Sequence, residues 1–276
     1  MTEIEETVAR HYGASGLLAR IEAGLAAAGA DPAAPTPEDL KPVDEFHIGG
    51  AEATRAVLGG LDIAAGAEAL DIGCGIGGTA RHLAGRHGCR VLGVDLTPEF
   101  VATAAALTRR VGLDAACRFA VGSARALPAA DASHDLALLF HVGMNVPDKP
   151  GLFAEAARVL RPGGRFAVYD VMAVGAGQIA YPVPWAAAAE SSFIAAPEAY
   201  RAAAAAAGLA LEAEHDRRDD ALDFFARLRT RIAETGPPPL GIHLLMGETA
   251  GQKIANMIAN IEAGRIAPVE MLFRKP

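Results

Sequence analysis

Residues 69–84 read "ALDIGCGIGGTARHLA". The stretch begins as a buried strand, passes four glycines in six residues and continues as an amphipathic helix. Glycine weakens both strand and helix, so such a run marks a place where something comes close to the backbone. A short apolar strand turning tightly into a helix is the opening unit of a sheet built by crossover connections, which sharply narrows the possible folds. Two ligand-binding spacings fit the same letters. Gly73, Gly75 and Gly78 satisfy G-x-G-x-x-G, and Asp71, Gly73, Gly75 and Gly77 satisfy D-x-G-x-G-x-G. The spelling alone leaves both open.

The rhythm that follows supports the sheet. "CRVLGVD" is a second strand, and "LTPEFVATAAALTRRVG" is a helix with Thr97 as N-cap, Pro98 in the first turn and Gly112 as terminator. "CRFAVG" and "DLALLF" are further strands, a helix opens near Asp148, and "RPGG" turns the chain into "RFAVYDV". Apolar strands alternating with helices imply an α/β fold, a doubly wound, mostly parallel sheet covered on both faces. Residues 1–62 read as an N-terminal helical segment, with Thr36 capping a helix before Pro37 and a break at "EFHIGG". Residues 63–276 read as the sheet domain, with cap insertions near 172–200 and 219–264. "LALEAEHD" and the closing "APVEMLFRKP" add two strands.

Composition removes several classes. With 276 residues, 51% hydrophobic and 21% charged, the chain is globular rather than disordered. A formal charge of −8 argues against a non-specific phosphate-backbone binder, so no nucleic-acid partner is expected. Three cysteines, Cys74, Cys89 and Cys117, are too few and too scattered for a disulfide framework or a zinc site. No metal is expected, and Cys74 reads as a small residue between glycines. The acidic, polar start and the lack of an uncharged apolar run of about 18 residues point to a cytoplasmic protein without a signal peptide or membrane span. A homodimer is compatible with all of this.

Charge discriminates between the two spacings. Asp71, two residues before the first glycine, would oppose a pyrophosphate and favour an ammonium group. Asp95 ends the second strand, 20 residues after Gly75, where a carboxylate accepts hydrogen bonds from ribose hydroxyls of either kind of nucleoside. Asp71, Asp95, His141 and Asp170 all fall at carboxyl ends of strands, the edge on which α/β sheets bind ligands.

The ordered set "LDIGCGIGG", "GVDLTP", "FAVGSARALP", "LLFHVGMNVPD" and "RVLRPGGRFAVYDV" resembles the class I S-adenosylmethionine (SAM)-dependent methyltransferases. It is most similar to the small-molecule branch that includes sarcosine/dimethylglycine, tocopherol and ubiquinone/menaquinone-pathway enzymes. The resemblance covers roughly residues 66–172. It implies a seven-stranded Rossmann-like sheet whose closing strand is antiparallel and inserted between its neighbours. It also implies SAM as cofactor and methyl transfer to a nitrogen, oxygen or carbon of a small-molecule acceptor by in-line displacement.

Position by position, the resemblance implies Gly73, Gly75 and Gly77 along the methionyl and ribose parts, Asp71 at the amino-acid end, Asp95 on the ribose and Leu96 on the adenine. Ser123 and Ala124 stand where the family commonly carries an Asp-Ala pair reading the adenine amine, so serine is a departure. His141 follows the fourth strand, at the donor–acceptor boundary, and His47 lies in a segment that closes over the donor. A phenol or carbon acid needs a base, and His141 and His47 are the candidates. Tyr181, Trp185, His243 and Met246, in the insertions, are candidate acceptor walls. His134 reads as a surface residue and Asp135 as a strand-start turn residue. Three rivals differ in class: a nucleic-acid methyltransferase, disfavoured by charge and by "HVGM" after the fourth strand, an NAD-dependent oxidoreductase, and a non-catalytic SAM-binding regulator.

Overall fold

The apolar runs become seven strands: β1 (Glu68–Ile72), β2 (Arg90–Asp95), β3 (Cys117–Val121), β4 (His134–Phe140), β5 (Leu160–Ala173), β6 (Ala210–Asp216) and β7 (Ile266–Arg274). A computed structural model, describing residues 2–13 and 16–276, arranges them in one sheet of order β3-β2-β1-β4-β5-β7-β6. Strands β1 to β5 pair in parallel. The closing strand β7 runs antiparallel between β5 and β6, as the resemblance implied.

Alternation along the strands builds a layer on each face. Leu136, Leu138 and Phe140 of β4 pack with α4 (Gly50–Gly59) and α5 (Gly78–His87), while Ala137 and Leu139 face α7 (Lys149–Val159) and α8 (Pro197–Ala206). Each fully buried leucine contributes roughly 1.5–3 kcal/mol, so a one-residue slip in register would be strongly opposed. Between β2 and β3 runs α6 (Pro98–Arg110), with Thr97 at its N-cap position. The Thr97 hydroxyl makes no capping bond; instead its N–H donates to Asp95.

The described residues up to 62 form four helices. These are α1 (Glu3–Tyr12), α2 (Leu17–Ala27), α3 (Pro37–Asp44) and α4. Thr36 caps α3 in a reciprocal box with Asp39, and Thr2 caps α1 in the same way with Glu5. Leu17, Ile21 and Leu25 of α2 pack with Leu40 of α3 and with Phe100 and Leu107 of α6. The later insertions hold α9 (Arg218–Thr235), the single turn α10 (His243–Met246) and α11 (Ala250–Glu262). Trp185, Val183, Phe225, Met257 and Ile261 form their common core. Among the described residues, no helix is long and apolar enough to cross a membrane.

Two expectations fail here. His134 is buried, its Nδ1 within 2.8 Å of the Ser133 hydroxyl, because the first residue of β4 pairs with Leu160 inside the sheet. Asp170 lies not at the end of β5 but within it, fully buried and accepting a 2.6 Å bond from Tyr200; the strand continues three residues further.

Candidate functional site

The four glycines have different neighbours. A Cβ at Gly73 would strike Val142 at 2.2 Å, one at Gly77 would meet Phe119 at 2.8 Å, and one at Gly78 would meet the Asp44 carbonyl at 2.1 Å. Only Gly75 leaves open space, and its φ of +53° belongs to the left-handed region that glycine enters freely. The run therefore packs the protein tightly against itself everywhere except Gly75, which faces a cavity.

That cavity, about 220 Å³, follows the carboxyl ends of β1 and β2 and the loops after β3 and β4. Asp71, Gly73, Gly75, Asp95, Leu96, Ser123, Ala124, His47 and His141 all line it. Gly77 is not among its lining residues; it begins the turn into α5 with φ +86°.

Acidic groups dominate one side. Asp71 is 2% exposed, and its Oδ2 has no partner among the described residues. Burial, then the charges of Glu45 and Asp95, push its carboxyl up to about 7. Asp95 accepts the Gly75 N–H at 2.9 Å on one oxygen and the Thr97 N–H at 2.8 Å on the other, so it braces the glycine loop while facing the cavity. Burial raises its carboxyl, and those bonds only partly offset that rise. Glu45 also lines the cavity; nothing in the sequence reading singled it out. Burial alone would raise Glu45, but hydrogen bonds from His47 and Thr79 and the His47 ring outweigh it, and the net shift is downward.

The two histidines differ in freedom. The Nε2 of His47 lies 2.9 Å from Glu45 and 3.0 Å from the Thr54 hydroxyl, and its Nδ1 lies 3.3 Å from the Ile48 carbonyl. Protein groups thus occupy both of its nitrogens. His141 has a buried Nε2 with no partner among the described residues. Burial, then the neighbouring His47, holds its ring well below the usual histidine value, so it is neutral at pH 7. Its backbone sits at φ +54°, a conformation that costs a non-glycine residue of order 1 kcal/mol or more and persists only where the surroundings enforce it. The enforcing contacts are the His141 N–H to Tyr169 carbonyl bond of 2.8 Å and the Tyr169 ring 5.2 Å away.

His141 and His47, with Tyr12 and Phe46, also line a second chamber of about 40 Å³. Its other walls are apolar: Met144, Trp185, Phe224, Phe225, Met246, Ile254 and Met257 among them, with no Asp, Glu, Lys or Arg. Trp185 and Met246 are thus at the chamber, with Trp185 anchored by its indole N–H to Ser192 at 2.9 Å. Tyr181 packs behind them in the cap core, and His243 sits half-buried; neither lines the chamber. The Phe224–Phe225 pair was missed because a two-residue aromatic step on a charged helix carries no signal of its own. The sequence points to the N-terminal segment as a wall without singling out any residue of α1; Thr2, Ile4, Glu5, Val8 and Tyr12 line the first cavity.

Cys74 is buried and its thiol pushed well above the usual range by burial, then by Asp95 and Asp71, in keeping with a packing role. Among the described residues, no cluster of metal-ligating side chains occurs.

The model of the methyltransferase domain family matches residues 70–168. Methyltransferase GfsG of Streptomyces halstedii is 35% identical over 141 residues, which are 51% of this chain and 50% of that protein. The 2-methyl-6-phytyl-1,4-hydroquinone methyltransferase of Synechocystis sp. is 41% identical over 116 residues, 42% of this chain and 36% of the relative. The chain spans half or less of the length of these relatives. In fold, it is similar to geranyl diphosphate C-methyltransferase of Streptomyces coelicolor A3(2), solved with Mg2+, geranyl diphosphate and S-adenosyl-L-homocysteine (SAH). The TM-score is 0.71 at 19% identity, covering 100% of this chain and 99% of that one. Within residues 70–168 this chain is similar to the methyltransferase domain family.

Proposed function

We propose that the protein binds SAM in the acidic cavity and transfers its methyl group to a small, uncharged, apolar acceptor held in the neighbouring chamber. One observation carries this reading. A cavity with an unpartnered buried carboxylate shares His141 and His47 with a chamber whose other lining residues are apolar and include no Asp, Glu, Lys or Arg. Asp71 meets the need of an ammonium group, Asp95 that of ribose hydroxyls, and Gly75 gives a ligand access to the backbone. When bound, SAM supplies a sulfonium-activated methyl group.

The chain's own residues do the rest. Asp71 and Asp95 fix the donor end, and the walls of the second chamber orient the acceptor and exclude water, which is where positioning gains most. For an acceptor that must lose a proton, His141 is the base: the residue lines both compartments, and its Nε2 has no partner among the described residues. His47, with both nitrogens engaged, holds the wall and the Glu45 carboxylate. Met144, Met246 and Met257 line a chamber too small as it stands for a bulky acceptor, and methionine is the side chain that repacks most readily. We read the sheet as doubly wound, and residues 1–62 with the insertions near 172–200 and 219–264 as the enclosure of one site.

The test is incubation with methyl-labelled SAM and a panel of neutral phenols, alkenes and amines beside phosphorylated counterparts. Label should enter neutral apolar acceptors. Transfer only to phosphorylated ones would overturn the acceptor assignment, and failure of SAH to raise the melting temperature would overturn the donor assignment.

A further inference from the structure

We infer that Glu5, on the N-terminal helix, is a specificity residue that biases the base end of the donor cavity toward a hydrogen-bond donor, and so favours a 6-amino purine over a 6-oxo purine. The inference rests on the SAM reading above and deepens it.

The cavity has a direction. Asp71 ends on β1, Asp95 on the adjacent β2, and Ser123 follows β3, the edge strand beyond. With an ammonium at Asp71 and a ribose at Asp95, the base falls between Leu96 and the loop after β3. The polar side chains on the wall formed by the N-terminal helix and that loop, Thr2, Glu5, Ser123 and Arg125, are wired together. The Ser123 hydroxyl donates to Glu5 Oε1 at 2.5 Å and accepts the Arg125 N–H at 3.1 Å. Arg125 donates to the same Glu5 oxygen at 3.1 Å. Glu5 Oε2 accepts the Thr2 N–H at 2.7 Å.

Hydrogen-bond accounting gives the selectivity. A carboxylate has no proton to give, and the one proton of Ser123 is committed to it. What Glu5 and Ser123 can still offer a ligand are acceptor lone pairs. Hydrogen bonds from Ser123, Thr2 and Arg125 outweigh the burial of Glu5 and hold its carboxyl near 2, so it stays an acceptor at any working pH. Arg125 is a side-chain donor beside them on this wall, and its Nη2 is spent on Glu5 and Thr2, so an exocyclic amine finds a ready partner in Glu5 whereas a carbonyl must compete with Glu5 for Arg125. The serine at 123 therefore does not remove the acid from the base end; a carboxylate from a helix more than a hundred residues away replaces it.

The experiment measures SAH and S-inosylhomocysteine affinities by calorimetry for the wild-type protein, Glu5→Gln and Glu5→Ala. Glutamine keeps an acceptor for the Thr2 N–H and adds an amide donor. The wild type should prefer SAH by at least about tenfold. Glu5→Gln should compress that ratio toward parity or reverse it, and Glu5→Ala should compress it through loss of the acceptor. If Glu5 only caps α1 and holds the helix in place, the variants will weaken both ligands equally, and the ratio will not move; that result overturns the inference. Equal binding of the two ligands to the wild type overturns it as well. No binding of either ligand to the wild type removes the SAM reading itself, which separates that failure from this one.

Discussion

A carboxylate buried as deeply as Asp71, with one oxygen lacking a partner, destabilises the ligand-free protein that carries it. Its folded value of about 7 stands above the usual 3.8, so the folded state prefers the protonated form. Stability from this group is therefore lost as pH rises from about 4 to about 7. Asp71→Asn should raise the melting temperature of the ligand-free protein at pH 8 while weakening SAH binding by about 2 kcal/mol or more. Wild-type affinity should run the opposite way to its stability, falling as pH drops through about 7 and Asp71 gains a proton. Calorimetry across pH 6–8 checks both; a flat profile removes Asp71 from the ammonium site. Asp95→Ala should cost about 1.5–3 kcal/mol in SAH affinity, since it removes a ligand acceptor and unpins the Gly75 N–H. At His141 the strained φ gives a cleaner separation. His141→Gly should leave stability within about 1 kcal/mol, because glycine occupies that backbone region freely. Turnover of an acceptor that must lose a proton should still fall at least about 100-fold.

Helices divide the labour between the two compartments. α1 lies over the first cavity and reaches the second chamber only at Tyr12, whereas α9 and α11 supply Phe224, Phe225, Ile254 and Met257 to the second chamber. A filling substitution on α11 should therefore act on one compartment alone. Ile254→Phe should raise the KM for a bulky acceptor several-fold while leaving SAH affinity unchanged; a matching loss of SAH affinity would show that the compartments are not separate. The strands and sheet helices were legible because each is a short apolar run bounded by local punctuation: Asp148 caps α7, and "RPGG" turns the chain within what becomes β5. Asp71, Gly75, Asp95, Ser123 and His141 were legible because the motif sits on those same local turns. Glu5, Glu45 and Phe225 were not. Each reaches the site from a distant part of the chain, and nothing within a few residues of them records which surface they will meet. Tyr181 and Trp185 show the same limit from the other side. They are four residues apart in the insertion, yet only the tryptophan reaches the chamber.

At the scale of the whole molecule, the sheet order reverses between β1 and β4, and the donor cavity lies at that crevice, where neighbouring crossovers leave in opposite directions. The order of strands in space is also a schedule. β5 gains its outer neighbour only from β7, and β6 reaches the sheet only through β7. On a chain emerging from the ribosome, β1 to β5 can pair as they appear, but one edge of β5 stays open until residues 266–274 follow. That edge is apolar, with Phe166, Val168 and Val171 all buried in the finished protein, and an unpaired apolar edge is where nascent chains pair with the wrong partner. Nascent chains stalled before residue 266 should therefore recruit holdase chaperones and expose β6 to protease, and both signals should vanish together once β7 has cleared the tunnel.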